Sequence, residues 1–506
     1  MNRYKISIQQ CMILKGDGQL QNEQDFSNLI YEYFFLRIRF GYYRCGDSLP
    51  PIDTLCREFN VAPLTVTAAL RRLRSEGFIS MHNGRPTMVL YQLKEREEEE
   101  FCLRFFSERW PAFMDLYASS ELILVPLEIE GLRRMDDGDL AEISRLAKWG
   151  DADDLLHFFW FTLQKLDNPL ALNLFWESTQ FMGFPFAKKS RAYGSYSPGI
   201  VRRRLNKLIQ YIKARDWNTV RELLLRYQRD DVRRMVEAFG KDIRSLTKEE
   251  MVPFTWRIYR ERPQVRYDLA FRLLHEIYMG EYREKDFLPS YEKMAQKYQV
   301  SVSTIRRTVN TLCQTGAARA INGRGTQIFT AGQPCDAPDF ESPAIRRSLA
   351  YFVQSFELLI YTCEGVTRSL LSSVSQADKD ILAGELKNNL LTGRTEFSLW
   401  CYLLYVGKYS PLEGIRVIYR GIYSLFLWGY PLKASFGNSE RVDNALLHFT
   451  ELMLSKLAQN DVDGCAVTVR ELLSQMFPYA RQYLLEHGIK EEEMRLTPCI
   501  HLQLTT

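Results

Sequence analysis

A ten-residue stretch concentrates polar chemistry: Ser301, Ser303, Thr304, Arg306, Arg307 and Asn310. Hydroxyls and an amide donate and accept hydrogen bonds, and guanidinium groups neutralise phosphate charge. On a helix, Ile305, Thr308, Val309 and Leu312 would turn inward, leaving Ser301, Ser303, Arg306, Arg307 and Asn310 outside. A helix with donors and cations near its N-terminus suits the DNA major groove, where base edges and phosphates are met together. Ser290, Arg324 and Gly325 join this candidate contact set. Earlier in the chain Thr65, Thr67, Arg71, Arg72 and Arg85 form a second set, with Pro63 and Arg74 beside them.

The two sets belong to a repeat. Residues 41–87 align without a gap on 280–326, with 14 identities in 47 positions, where composition alone predicts about three. The identities include Gly41/Gly280, Asp47/Asp286, Leu49/Leu288, Pro50/Pro289, Thr65/Thr304, Gly77/Gly316, Gly84/Gly323, Arg85/Arg324 and Thr87/Thr326. A period of 239 residues is far longer than that of a solenoid, so a domain is duplicated. A weaker echo, Val220–Leu224 against Val469–Leu473, extends the order to small module, helical module, small module, helical module.

Each small module must be built to present the candidate residues. Phe26, Leu29, Ile30, Tyr33 and Phe34 make a helical stripe stopped by Gly41; Leu269, Leu273, Leu274 and Ile277 repeat it before Gly280. Leu-Pro then marks a helix start, followed by inward Ile52, Leu55, Cys56 and Phe59, or Tyr291, Met294, Ala295 and Tyr298. The third helix turns Val66, Ala69, Leu70 and Leu73 inward in the first copy and ends at Gly77, as the second ends at Gly316. A hairpin follows, tipped by Asn83-Gly84-Arg85 or Asn322-Gly323-Arg324. Three helices and a hairpin make a winged helix-turn-helix.

Both copies resemble the DNA-binding domain of GntR-family bacterial transcription regulators, whose motif reads roughly G-x-x-x-x-G-x-x-L-P, V-S-R-x-T-V-R-x-A-L, G, then G-x-G-T. The second copy keeps Gly280, Leu288-Pro289, Val300-Ser301, Thr304-Ile305-Arg306, Gly316 and Gly323-Arg324-Gly325-Thr326. The first keeps Gly41, Gly46, Leu49-Pro50, Val61, Thr65-Val66, Ala69-Leu70, Gly77, Gly84 and Thr87. The resemblance implies a DNA-binding regulator whose partner is double-stranded DNA. Where the family has its first recognition arginine, this chain has Pro63 and Val302; the second is Thr67 in one copy and Arg306 in the other; the second wing glycine is Pro86 in the first copy. The second copy is therefore expected to be the better reader.

The remaining segments read as amphipathic helices, with stripes such as Val201, Leu205, Leu208, Ile209 and Ile212, and Leu446, Phe449, Met453, Leu454 and Leu457. The expected fold is mainly α: winged helix-turn-helix domains at 25–92 and 263–332 alternating with all-helical bundles at 93–260 and 340–506, after an N-terminal segment 1–24. Asp153-Asp154-Leu155-Leu156-His157 with Asn168-Pro169-Leu170 resembles the ligand-binding domain of the FadR-type subfamily. That subfamily holds a metal through an Asp and a His four apart plus further histidines, which makes Asp153 and His157 weak metal candidates. Residues 201–235 contain no histidine, and a divalent site needs three or more ligands, so no metal and no cofactor is expected. The aromatic clusters around Phe158, Phe159, Trp160, Phe175 and Trp176, and around Trp400, Tyr402 and Tyr405, read as core, with a pocket for a small-molecule effector the open alternative. Arg202-Arg203-Arg204 and Glu95–Glu100 read as solvated faces.

Composition narrows the function classes. Lys+Arg 66 against Asp+Glu 62 gives +4, so basic surface must be local. The first copy, 26–91, carries +3 and the second, 263–332, carries +4. Ten scattered cysteines lack a C-x-x-C pair, which points away from zinc ribbons and disulfide scaffolds toward reduced cytoplasmic thiols. The most apolar runs fall short of the ~18 residues of a membrane span. No Ser/His/Asp set and no phosphate-binding glycine loop suggests an enzyme. The expectation is a cytoplasmic regulator with two DNA readers, a monomeric pseudo-dimer or a homodimer, on an operator with unlike half-sites. A protein-interaction scaffold built from degenerate winged helices is the alternative.

Overall fold

The computed structural model describes residues 26–59, 61–82, 84–92, 94–149, 152–183, 198–258, 265–329, 337–429 and 439–495. The N-terminal segment 1–24 and the wing-tip residue Asn83 lie outside the described residues. The chain divides into two compact units, one mainly within 23–262 and the other mainly within 263–497. Eighteen α-helices, three short 3-10 helices and two small antiparallel hairpins make up the described secondary structure.

The first unit begins with α1 (Phe26–Arg39), α2 (Ile52–Phe59) and α3 (Pro63–Ser75), then β1 (Ile79–Ser80) and β2 (Met88–Val89). Leu29, Ile30, Tyr33 and Phe34 of α1 are buried with Val66, Ala69, Leu70 and Leu73 of α3, as their spacing requires. Gly41 and Gly77, at φ +71 and +82, turn the chain after α1 and α3 in the left-handed region that glycine adopts without strain. A long helix, α4 (Glu95–Arg133), continues into α5 (Asp137–Trp149), α6 (Ala152–Gln164), α7 (Pro169–Met182), α8 (Pro198–Lys213) and α9 (Trp217–Phe239). Glu95, Glu97 and Glu98 place negative charge at the positive end of the α4 dipole. Asn168 caps α7 by accepting from the Ala171 backbone N–H at 3.1 Å, with Pro169 in the first turn. Helices α6, α7 and α9 pack against α4, and α8 joins α5, α6 and α9.

The second unit repeats the plan. Helices α10 (Val265–Tyr278), α11 (Tyr291–Tyr298) and α12 (Val302–Gln314) precede β3 (Ala318–Ile321) and β4 (Gly325–Ile328). A bundle follows: α13 (Pro343–Ser373), α14 (Gln376–Leu391), α15 (Ser398–Tyr409), α16 (Glu413–Phe426), α17 (Ser439–Ala458) and α18 (Val462–Glu486). Long α13 and α18 pack together and α17 covers α14 and α18.

Three expectations are corrected. The Leu-Pro prolines do not open a helix: Ser290 is the N-cap of α11, so Pro289 lies before it, and α2 starts two residues after Pro50. The inward face of α2 is narrower than the apolar pattern suggests, with Leu55 and Phe59 buried but Ile52 and Cys56 only half-buried. Arg202 and Arg203 are exposed, but Arg204 is not part of a solvated face. It is 7% exposed and donates to Asp231 at 2.7 Å, because α9 brings a buried carboxylate opposite it. Among the described residues, no helix is long and apolar enough to cross a membrane.

Candidate nucleic-acid interface

The seam between wing and body is built at matching positions in the two copies. Leu49 N–H donates to the Thr87 carbonyl at 2.8 Å, and Leu288 N–H to the Thr326 carbonyl at 2.9 Å. Val89 N–H donates to the Asp47 carbonyl, and Ile328 N–H to the Asp286 carbonyl, both at 2.9 Å. Both wings add a bridge at matching positions, Ser48 to Met88 and Phe287 to Gln327. The same backbone pairs therefore hold both wings to their helices.

Beyond the seam the wings differ. In the second copy four residues pair on each strand, from Ala318↔Ile328 to Ile321↔Gly325; in the first only Ile79↔Val89 and Ser80↔Met88 pair. Gly325 sits at φ +109. Pro86 occupies that position in the first copy, and proline is fixed near φ −65° without an N–H, so the ladder ends early. Arg85 and Arg324 are exposed at the two tips.

The third helix of the second copy, α12, is capped by Ser301, which accepts from Thr304 N–H at 3.1 Å. Its hydroxyl also lies 2.8 Å from those of Ser303 and Thr304, a small polar cluster at the helix N-terminus. Ile305, Thr308, Val309 and Leu312 are buried, while Arg306, Arg307 and Asn310 are exposed, with no hydrogen-bond or ion-pair partner among the described residues. Ser290 spends its hydroxyl on the Lys293 N–H at 3.4 Å, which leaves it exposed at the start of α11. The fold thus brings Ser301, Ser303, Arg306, Arg307 and Asn310 to one helix, with Arg324 on the wing that follows.

In the first copy, α3 has Ala62 at its N-cap with no side-chain cap. Thr65 is half-buried, and Thr67 is also half-buried with its hydroxyl donating to the Pro63 carbonyl at 2.7 Å. Arg72 folds back on its own domain: it pairs with Glu76 at 3.1 Å, lies 3.7 Å over the Tyr31 ring and reaches Asn28. Arg71, Arg74 and Arg85 remain exposed. Sequence reasoning missed Leu64, which is 80% exposed at the second position of α3. Its position outside the Val66/Ala69/Leu70/Leu73 stripe was the available signal.

The helical modules hold no metal set among the described residues, where no three His, Cys, Asp or Glu side chains converge. His157 is half-buried on α6, and the Asp153 side chain lies outside the described residues. The aromatic clusters are core: Phe158, Trp160, Trp176, Tyr402 and Tyr405 are buried, while Phe159, Phe175 and Trp400 line cavities.

The model of the gntR family of bacterial regulatory proteins matches this chain twice, over residues 27–89 and 267–328. Solved structures similar to the chain include Streptococcus agalactiae GntR, at 17% identity and TM-score 0.21, covering 42% of this chain and 99% of that one. Another is E. coli McbR/YncC, at 18% identity and TM-score 0.23, covering 42% of this chain and 98% of that one. A third is the Listeria monocytogenes structure titled for Lar controlling the agr system, at 13% identity and TM-score 0.20, covering 43% of this chain and 96% of that one. No curated protein matches the chain.

Proposed function

Since the chain carries two DNA-binding domains of the GntR family of bacterial regulatory proteins, we propose that it is a transcription regulator reading one operator with two unequal half-sites. The observation that carries this is the contrast between the recognition helices. Helix α12 offers Arg306, Arg307 and Asn310 exposed beside a capped N-terminus; α3 offers Pro63, Leu64 and Ala68, with Arg71 and Arg74 farther along. Arginine reads guanine bidentately and neutralises phosphate, whereas an apolar side chain at a groove-facing position suits the thymine methyl. Within this reading the second copy dominates affinity, the first adds a weaker half-site, and the helical modules couple an effector to the readers.

The test is fluorescence anisotropy on DNA from the protein's own upstream region at two salt concentrations. The wild type is expected to bind with steep salt dependence, and Arg306→Ala/Arg307→Ala to lose about two units of the log–log salt slope. Binding that ignores both salt and the double change would sink the regulator.

A second reading, a protein-interaction scaffold, draws on Leu64: an exposed leucine beside an uncapped helix start also suits a protein partner. Leu64→Ser separates the two, since loss of a protein partner with unchanged footprint would favour the scaffold.

A further inference from the structure

The first helical module encloses a cavity of about 100 Å³ between α4, α6, α7, α8 and α9. At ~10–15 Å³ of such space for each water-sized group, it has room for roughly seven to ten heavy atoms. Its walls are largely apolar, with Leu124, Leu155, Phe159, Phe175 and Leu208 among them. One wall is Glu128, 7% exposed toward the C-terminal end of α4, with no hydrogen-bond or ion-pair partner among the described residues. A buried carboxyl without a counter-charge is costly and is ordinarily paired.

The other charged groups of the cavity are already matched. Arg204 from α8 pairs with Asp231 of α9 at 2.7 Å and approaches Asp230 at 3.7 Å. Gln228 donates to the Tyr117 carbonyl at 2.7 Å. Tyr117 and Tyr227 are the remaining titratable lining groups; α6 and α7 contribute uncharged ones. The unmet need is thus a positive charge beside Glu128, in a cavity whose wall also includes the aromatic residues Tyr117, Phe159 and Phe175, while the Tyr227 ring already carries the Arg204 guanidinium at 4.8 Å. The corresponding cavity of the second unit is lined by Phe352, Phe356, Leu399, Trp400 and Phe426, with Glu396 only half-buried.

We propose that the cavity of the first helical module binds a small organic cation, an apolar body carrying one ammonium-type group that pairs with Glu128. For its regulatory consequence this rests on the effector reading above. Helix α7 faces the cavity through Phe175, Thr179 and Met182. The same helix holds Arg257 through Glu177 at 2.9 Å, and Arg257 grips Glu32 of α1 at 2.6 and 2.8 Å. A ligand that moves α7 therefore acts on the first reader. Burial pushes the Glu128 carboxyl up to about 8, so the empty site is mostly protonated at neutral pH. Pairing with a cation favours the carboxylate, so binding expels close to one proton, and affinity rises by up to tenfold per pH unit until about pH 8.

The experiment is titration calorimetry of the full chain with benzylamine, benzyl alcohol and benzoate in two buffers of different ionisation enthalpy. Benzylamine alone is expected to bind, with a buffer-dependent heat that reports proton release, and Glu128→Gln is expected to weaken it at least tenfold. Glu396→Gln, in the other cavity, should leave binding unchanged. Equal binding of benzyl alcohol, undiminished binding by Glu128→Gln, or no binding by any of the three overturns the assignment. Should Glu128→Gln fail to fold, buffer-independent heat in the wild type does so alone. Anisotropy on operator DNA, run in parallel, reads the regulator separately: benzylamine binding without DNA binding would sink the regulator and keep the cavity.

Discussion

At the residue scale, the arginines of the first copy are not equivalent, and the difference is decided by what each one touches. Arg72 stacks on Tyr31 and pairs with Glu76, whose carboxylate also accepts from the Tyr31 hydroxyl at 2.6 Å. Arg71 stays exposed one position earlier. Arg72→Ala should thus act mainly on stability, lowering it by about 1 kcal/mol through lost stacking and packing. Arg71→Ala should leave the melting temperature in place and lower the salt slope of DNA binding by about one unit. Thermal melts and anisotropy on the same pair of variants check both halves. Equal slope losses would mean that Arg72 leaves Tyr31 on the DNA. Neither distinction is visible in the sequence, where Arg71, Arg72 and Arg74 are three like charges. Glu128 was hidden for a different reason: an acid between Leu127 and Ile129, inside an apolar run, was the only signal, and burial cannot be known without the neighbouring helices.

At the element scale, two long-range polar contacts that sequence spacing could not show join the small domains to their own bundles. The pairs are 225 and 148 residues apart. In the first unit Arg257 bridges Glu32 and Glu177, and Glu177 is buried at 2% side-chain exposure. Arg257→Met strips a buried carboxylate of this counter-charge, so unfolding stability should fall by about 3 kcal/mol. Adding Glu177→Gln should restore a large part of it, a coupling that a denaturant double-mutant cycle measures. In the second unit His275 on α10 meets the Tyr423 hydroxyl of α16 at 2.9 Å. Burial lowers its pKa to about 4, with Glu276 opposing. The folded value lies below the ordinary 6.5, so this neutral imidazole supports the fold above that pH. Support is lost as pH falls from about 6.5 to about 4, a cost of about 3 kcal/mol once both states are protonated. His275→Phe should flatten that limb of the stability–pH curve; an unchanged limb would place the acid sensitivity elsewhere. What was legible at this scale was local: the α1 and α3 stripes, the glycine stops and the wing hairpin, all carried by residues close in sequence and repeated 239 positions on.

At the scale of the whole molecule, a duplicated chain departs from a homodimer in one respect that matters for DNA: its two readers need not be identical. Substitution has used that freedom at Pro63 against Val302, Thr67 against Arg306 and Pro86 against Gly325. Each change removes a donor, a cation or a wing glycine from the first copy. On the proposed function, linkage in one chain would let the weaker reader still contribute, because a bound second copy would raise its effective concentration to roughly the millimolar range. A regulator of this kind should protect an operator unevenly. The half-site read by α12 should show the stronger, guanine-sensitive contacts, and the half-site read by α3 a weaker one sensitive to replacing thymine with uracil, which lacks the methyl group. Arg306→Ala/Arg307→Ala should therefore erase protection on one half-site first, and weaken the other only through lost linkage. Hydroxyl-radical footprinting of wild type and double variant decides the point. A symmetrical footprint that fades evenly on both halves would mean that the two copies read alike, and that the differences between α3 and α12 serve something other than DNA.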